Sequence, residues 1–532
     1  MSKRNQYIFV ILFLLALSTG LMAYALRSNK RTIGQYSSVP RPARIRPDYC
    51  DTVIPANIAP LNFIVQEDGS YYYVKIFSIQ GRPIELFSRS PKIVIPQRPW
   101  HRLLDLNKTE ELYFDIYVKT ENGQWRRFSP ITNKIAAEPI DGFLVYRKLH
   151  QVISLSRGMG IYQRNLENYD ESIVLDGTAP DRYCVNCHTF LANKTDNMLM
   201  HIRGNTGDRH AMLLIRDGEA SNIDSRTQFG AAPMGHTAWH PSGKLAVFTI
   251  YKVRQFFHTA RGEVRDVVDL DSAMGYYLFE SRTLKTTPKI SQQDRLEPFP
   301  TFSPDGRYLY FCVAPILWSS RDELPPQHYK QSKYSLVRIS YDLETDTWGQ
   351  LETVLSAEQT GLSIIQPRIS PDGRFLLFCM CQYSGFPAFQ ANSDLYLIDL
   401  KAAQQTGRYE YRRLDCNSDQ AESWHCWSSN SRWFVFSSKR QDAIFARSYF
   451  SYVDENGTVH KPFLLAQKDP AFYDSAIMMQ QLPELVTTAI PVTGQGLARL
   501  LSSQGRPLSD EIPVTSATPK AGTAVGAERE PE

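Results

Sequence analysis

Apolar and polar residues alternate in the first third of the chain. In Leu112-Tyr113-Phe114-Asp115-Ile116-Tyr117-Val118-Lys119 the residues Leu112, Phe114, Ile116 and Val118 share one face. A period of two marks a half-buried strand. Tyr71 to Ile79 and Phe143 to Tyr146 read the same way, and Glu67-Asp68-Gly69-Ser70 and Glu121-Asn122-Gly123 supply the turns between them. The pattern predicts a small β-sandwich-like domain over 50–150, followed by a connector over 151–183.

From about residue 184 the pattern becomes a repeat. Trp239-His240-Pro241-Ser242-Gly243-Lys244 leads into the apolar run Leu245-Ala246-Val247-Phe248. Phe302 to Phe311 and Ile369 to Phe378 carry the same turn as Ser-Pro-Asp-Gly-Arg, and Trp427 to Phe436 is a degenerate copy with Ser431 in the glycine position. The turn markers are spaced by 63, 67 and 58 residues. Proline fixes φ, the carboxylate or amide accepts backbone donors, and glycine supplies a positive φ. The residue after the last Phe is Thr249, Cys312, Cys379 or Ser437, so a small side chain recurs at one strand position and predicts tight packing there. One such unit cannot bury its own sheet, whereas units arranged radially can. The expected fold is therefore all-β: a β-propeller of five or six blades, six favoured, spanning 184–480.

The Ser-Pro-Asp-Gly-Arg turn with its following strand resembles the repeat of TolB-like propellers, relatives of the WD-repeat folds. The resemblance covers roughly 184–466. Together with the motif described below, it is similar to bacterial proteins that are TolB-like or cytochrome-c-like. It implies a propeller and a haem, and says little about partners.

The two ends read differently. Lys3 and Arg4 precede an apolar run from Tyr7 to Leu26, and about 20 such residues cross a bilayer. Residues 1–26 are thus expected to be a signal peptide, with Ala23-Tyr24-Ala25 as a cleavage site, or a membrane anchor. Arg27, Lys30 and Arg31 follow the run and oppose the positive-inside orientation. A basic linker is expected over 27–49 and a mostly disordered tail over 481–532. The net charge of +4 over 532 residues is weak and scattered, which argues against nucleic acid as a partner.

The chemistry lies in Cys184-Val185-Asn186-Cys187-His188. In a C-x-x-C-H run both sulfurs form thioethers with one porphyrin, and the adjoining histidine binds its iron. In a chain of this composition the pattern arises by chance about once in 400 chains, which makes the match specific. A redox dithiol would want a βαβ context, and a zinc site would want a second ligand pair at suitable spacing. The expectation is one covalent haem c on Cys184 and Cys187, with His188 as the proximal iron ligand.

The remaining cysteines, Cys50, Cys312, Cys379, Cys381, Cys416 and Cys426, are too dispersed for a disulfide framework. Cys379 and Cys381 are expected on opposite faces of their strand, unable to pair. Candidates for the sixth iron ligand are Met198 and Met200, His201 on the opposite strand face, and His240 and His425, each just ahead of a repeat turn and expected near the propeller channel. The acidic run Arg265 to Asp271 is expected to be a solvated loop.

These readings point to a periplasmic, membrane-associated, single-haem electron-transfer protein that uses the propeller to dock a redox partner. The rival expectations are a haem enzyme with an open iron site acting on a small oxidised species, and a TolB-like module that binds an envelope protein.

Overall fold

The computed structural model describes residues 33–150, 159–177, 183–204, 210–225, 234–257, 265–320 and 323–511. The N-terminal apolar run and the last part of the tail lie outside the described residues. Among the described residues no helix is long and apolar enough to cross a membrane.

The first domain is built from two sheets and a helix. A seven-stranded sheet has Glu111–Lys119 near its middle, paired with Tyr71–Phe77, Trp125–Ser129 and Ile131–Ile135. A three-stranded sheet combines Ile45–Arg46, Phe63–Val65 and Lys92–Ile93. Leu112, Phe114, Ile116 and Val118 are all buried, as their alternation requires. Phe114 stacks on Phe63 with ring centroids 5.7 Å apart, joining the two sheets. The helix Gln97–Leu106 adds Trp100, Leu103 and Leu104 to the same core.

The stretch expected to be a linker contributes strands Tyr36–Pro42 and Ile45–Arg46. The first is an edge strand, where proline is tolerated. Its basic character is matched by Glu67, whose carboxylate accepts Arg41 Nη1 at 2.6 Å and the Arg44 backbone N–H at 3.0 Å.

Beyond residue 140 the chain forms a β-propeller. Six antiparallel sheets succeed one another, and their first strands pack against each other in a ring. The first sheet takes Phe143–Leu149, Gly160–Asn165 and Glu171–Asp176 from the N-terminal side and its innermost strand, Met479–Val486, from the far end of the chain. The other five innermost strands are Tyr183–Leu191, Met234–Trp239, the interrupted pair Arg295–Leu296 and Thr301–Phe302, Ser363–Ile369, and Glu422–Trp427. The propeller thus begins at Phe143, about 40 residues before the expected start at 184, because the first sheet lacks the turn motif.

The stretch expected to be a disordered tail holds this closing strand, the helix Gly494–Ser502, and the short strands Arg506–Pro507 and Ser509–Glu511. The last two lie parallel to the outer edges of the second and third sheets.

The repeat turns behave as their composition dictates. Gly243, Gly306 and Gly373 have φ of 69°, 74° and 76°, and Ser431 adopts 62°. The Ser431 hydroxyl accepts the Asp372 backbone N–H at 2.9 Å, a bond between successive turns that glycine could not make. The recurring small residue also has a role. Thr249 donates to the Glu297 carbonyl at 3.2 Å, Cys379 lies 3.8 Å from the Glu422 carbonyl, and Ser437 donates to the Gln480 carbonyl at 3.1 Å. Each contact ties one sheet to the innermost strand of the next.

Two further expectations are corrected. Cys379 and Cys381 share a face, with Met380 turned to the other, because side chains two apart on a strand point the same way. Arg265 to Asp271 is not a solvated loop but part of the buried strand Arg265–Leu278. The Asp266 and Asp269 carboxylates accept the hydroxyls of Tyr383 and Tyr334 at 2.8 and 2.9 Å.

Candidate functional site

Each innermost strand loses its register part-way along. Pairing skips between Val185 and His188, Gly235 and Ala238, Ile365 and Arg368, and Ser423 and Cys426. The closing strand skips two residues between Gln481 and Glu484, and the fourth sheet's inner strand is split between Leu296 and Thr301. These are β-bulges, which insert a residue and re-aim its side chain. His236, Phe299, Gln366, Trp424 and Leu482 take φ of 47–62° at these points. A positive φ is costly for such side chains, so five of six sheets bear a similar local strain at the same level of the channel.

The bulge residues line a central cavity of about 60 Å³. That is room for about four waters. Cys187 and His188 form part of its wall, from the innermost strand of the second sheet. Cys187 is 9% exposed and His188 3%. A Cβ added to Gly235 would lie 3.1 Å from Cys187 Sγ, so the motif is packed directly against the next innermost strand. The side chain of Cys184 lies outside the described residues.

His236, Gln366 and Trp424 stand around the same cavity. The rings of His236 and Trp424 are nearly parallel, 6.2 Å apart, and His236 packs on Phe299 at 4.2 Å. Gln366 Oε1 accepts the Trp424 backbone N–H at 2.8 Å. Among the described residues His236 Nε2, Gln366 Nε2 and Trp424 Nε1 are buried without a hydrogen-bond partner. Native interiors rarely leave such atoms unsatisfied. Burial, followed by the nearby Arg368 charge, lowers the His236 imidazole to about 3, so the ring is neutral with a lone pair available.

The structure separates the other candidates. Met198 and Met200 lie in the apolar core between the first and second sheets, and Met200 pairs across strands with His188. His201, on the opposite face as expected, shares a hydrogen bond of 2.6 Å with Thr237 Oγ1. Burial first, and then His236, lowers it to about 3. His240 was expected near the channel but belongs to the turns: its Nε2 donates to the Gly306 carbonyl at 3.1 Å and its Nδ1 accepts the Ser242 backbone N–H at 3.2 Å. His425 does line the cavity, but its Nε2 donates to the Leu377 carbonyl at 3.0 Å and its Nδ1 lies 3.7 Å from Cys379 Sγ.

His236, Gln366, Trp424 and the Arg368–Glu484 pair escaped the sequence reading. A usable signal was present. His236, Phe299, Gln366 and Trp424 each stand seven residues ahead of the turn marker at 243, 306, 373 or 431. A fixed offset from the turn marks the channel position.

No protein-family model matches the chain, and no curated protein matches it. Among solved structures the chain is similar to an oligogalacturonate lyase from Vibrio parahaemolyticus, at 12% identity and a TM-score of 0.33, covering 74% of this chain and 100% of that one. It is similar to prolyl oligopeptidase B from Galerina marginata at 12% identity and a TM-score of 0.31, covering 66% of this chain and 42% of that one. A puromycin hydrolase gives 13% and 0.34, with 66% and 45% covered. The chain thus spans under half the length of the two hydrolases. Likeness at this level carries no argument about activity, and the propeller is read from the sheets themselves.

The donor chemistry around the cavity fits a haem iron. One motif imidazole and one motif thiol are buried side by side at the channel, and a second, neutral imidazole with an unpartnered nitrogen faces the same space. The cavity volume suits water-sized molecules, so seating a macrocycle requires the channel side chains to move apart. Among the described residues no group of three or more His, Cys, Asp or Glu side chains could hold a metal ion by itself.

The other buried thiols are held in their protonated form. Burial pushes Cys381 and Cys416 up to about 12 and Cys312, Cys379 and Cys426 well above the ordinary thiol range, where the thiolate is scarce.

Proposed function

We propose that the chain is a single-haem c-type cytochrome of the periplasm that transfers electrons, with the propeller as its docking platform. The observation that carries this reading is the placement of a complete C-x-x-C-H motif on an innermost propeller strand, with Cys187 and His188 buried at the channel. Cys184 and Cys187 would hold the group covalently and His188 would bind its iron. When bound, the haem supplies a one-electron iron couple. The chain's own part is to bury that couple: Phe299, Trp424 and the other channel side chains exclude bulk water, which raises the influence of each nearby charge. The apolar N-terminal run would keep the protein at the inner membrane, facing a redox partner protein.

The test is direct. Protein purified from a host that attaches c-type haem should give a pyridine haemochrome of one haem per chain and an intact mass that includes it. Colourless protein at the bare polypeptide mass ends this reading and leaves a propeller-based binding module for an envelope protein.

A second reading follows from the cavity itself. Its water-sized space lies beside the unpartnered Gln366 Nε2 and Trp424 Nε1, donors suited to a small oxidised ligand at an open iron site. High-spin ferric iron in the purified protein, shifting on cyanide, would favour that haem enzyme over the electron carrier.

A further inference from the structure

Resting on the haem reading, we infer that His236 is the second axial ligand of the iron, giving bis-histidine coordination with His188. Its placement in the channel singles this residue out.

Four observations converge. First, His236 sits on the innermost strand next to the one that carries the motif, and a Cβ at the neighbouring Gly235 would lie 3.1 Å from Cys187 Sγ. The sulfur that would carry the macrocycle therefore adjoins the His236 backbone. Second, His236 Nε2 is buried and has no hydrogen-bond partner among the described residues. Leaving such a nitrogen unsatisfied is costly, and an iron bond would remove that cost. Third, the ring is held between Tyr251, Phe299 and Trp424, with centroids at 5.2, 4.2 and 6.2 Å, and its backbone is held at φ 48°. That is the rigid support an axial ligand needs.

Fourth, the other candidates are committed elsewhere. His240 uses both ring nitrogens in the turns. His425 Nε2 donates to a carbonyl. Met198 and Met200 belong to the apolar core. His201 also has one nitrogen, Nδ1, without a partner among the described residues, but it does not line the cavity.

The test uses the full-length holoprotein and ferric electron paramagnetic resonance. Wild type should carry one haem and show a low-spin, bis-imidazole signal. His236→Gly should retain the haem, turn high-spin, bind CO when reduced, and return to low-spin on adding free imidazole. His236→Met should stay low-spin with a more positive midpoint potential, because a methionine ligand raises it. This second variant keeps the side-chain bulk and guards against a folding defect. His240→Gln should keep the wild-type signal. A His236→Gly protein that carries haem and remains low-spin without imidazole overturns the assignment while leaving the cytochrome standing. A wild-type protein without haem overturns both.

Discussion

Arg368 Nη2 donates to Glu484 Oε1 at 2.5 Å, joining the fifth sheet to the closing strand of the first across the intervening sixth. Both residues lie just past their bulges and both line the cavity. The pair therefore fastens the ring near the point where the two ends of the propeller meet. The Glu484 side chain is 9% exposed and that of Arg368 37%, so solvent screens part of the interaction. Glu484→Gln should lower stability by about 1–2 kcal/mol, read as a reduced urea midpoint. Pairing it with Arg368→Met should recover part of the loss. Equal and additive losses would mean that the pair contributes nothing beyond packing.

The closing strand itself makes a larger demand. A chain ending at Met478 lacks the innermost strand of the first sheet and leaves Phe143–Leu149 with an open edge. It should fail to yield a monodisperse folded species by size-exclusion chromatography. A chain ending at Ser503 keeps that strand and the helix Gly494–Ser502, and it should fold with a lower melting temperature. Equal behaviour of the two truncations would contradict ring closure by the C-terminal strand.

The motif cysteines can be separated by mass. Cys184→Ala and Cys187→Ala should each leave one thioether link, and the double variant none. Denaturing-gel haem staining should weaken in the single variants and vanish in the double. Staining that persists in the double variant would place the attachment elsewhere.

His240→Ala removes a hydrogen bond between two successive repeat turns. It should cost about 1–2 kcal/mol of stability and leave the haem spectrum unchanged. A change in iron spin state would return His240 to the list of ligands.

Asp269 predicts a pH dependence of stability. Burial, only partly offset by the Tyr334 hydroxyl, raises its carboxyl from 3.8 to about 7. The folded state thus holds a proton that the unfolded chain has released. The stability this contributes is fully present below about pH 4 and is lost as pH rises through about 7, by up to about 1.4 kcal/mol per pH unit in that window. Asp269→Asn keeps an acceptor for Tyr334. It should melt higher than wild type at pH 8 and show a flatter profile between pH 4 and 7. Parallel profiles for the two proteins would refute the assignment.

Much of the architecture was legible because it is local. Leu112, Phe114, Ile116 and Val118 alternate, and strand geometry then buries one face. Gly243, Gly306 and Gly373 sit in turns that need a positive φ, and the chain around them carries that requirement in its composition. The C-x-x-C-H motif is five consecutive residues and needs no fold to be recognised.

What escaped was non-local. The first sheet joins residues more than 300 apart, Leu144 to Leu485 among them, and no local pattern announces such a partner. The acidic run Arg265 to Asp271 looked solvated because the hydroxyls that satisfy it, on Tyr334 and Tyr383, come from other sheets. His236 looked like any polar residue in a short strand. A bulge turned it into the channel, and the ring closure placed Trp424 opposite.

The chain by itself determined the turns, the strand faces and the C-x-x-C-H motif on which the haem proposal rests, since each depends only on neighbours within a few positions. Tertiary structure alone decided which side chains share the axis. That outcome depends on six sheets packing radially and on bulges adding one residue to each innermost strand, and both are properties of distant strands meeting.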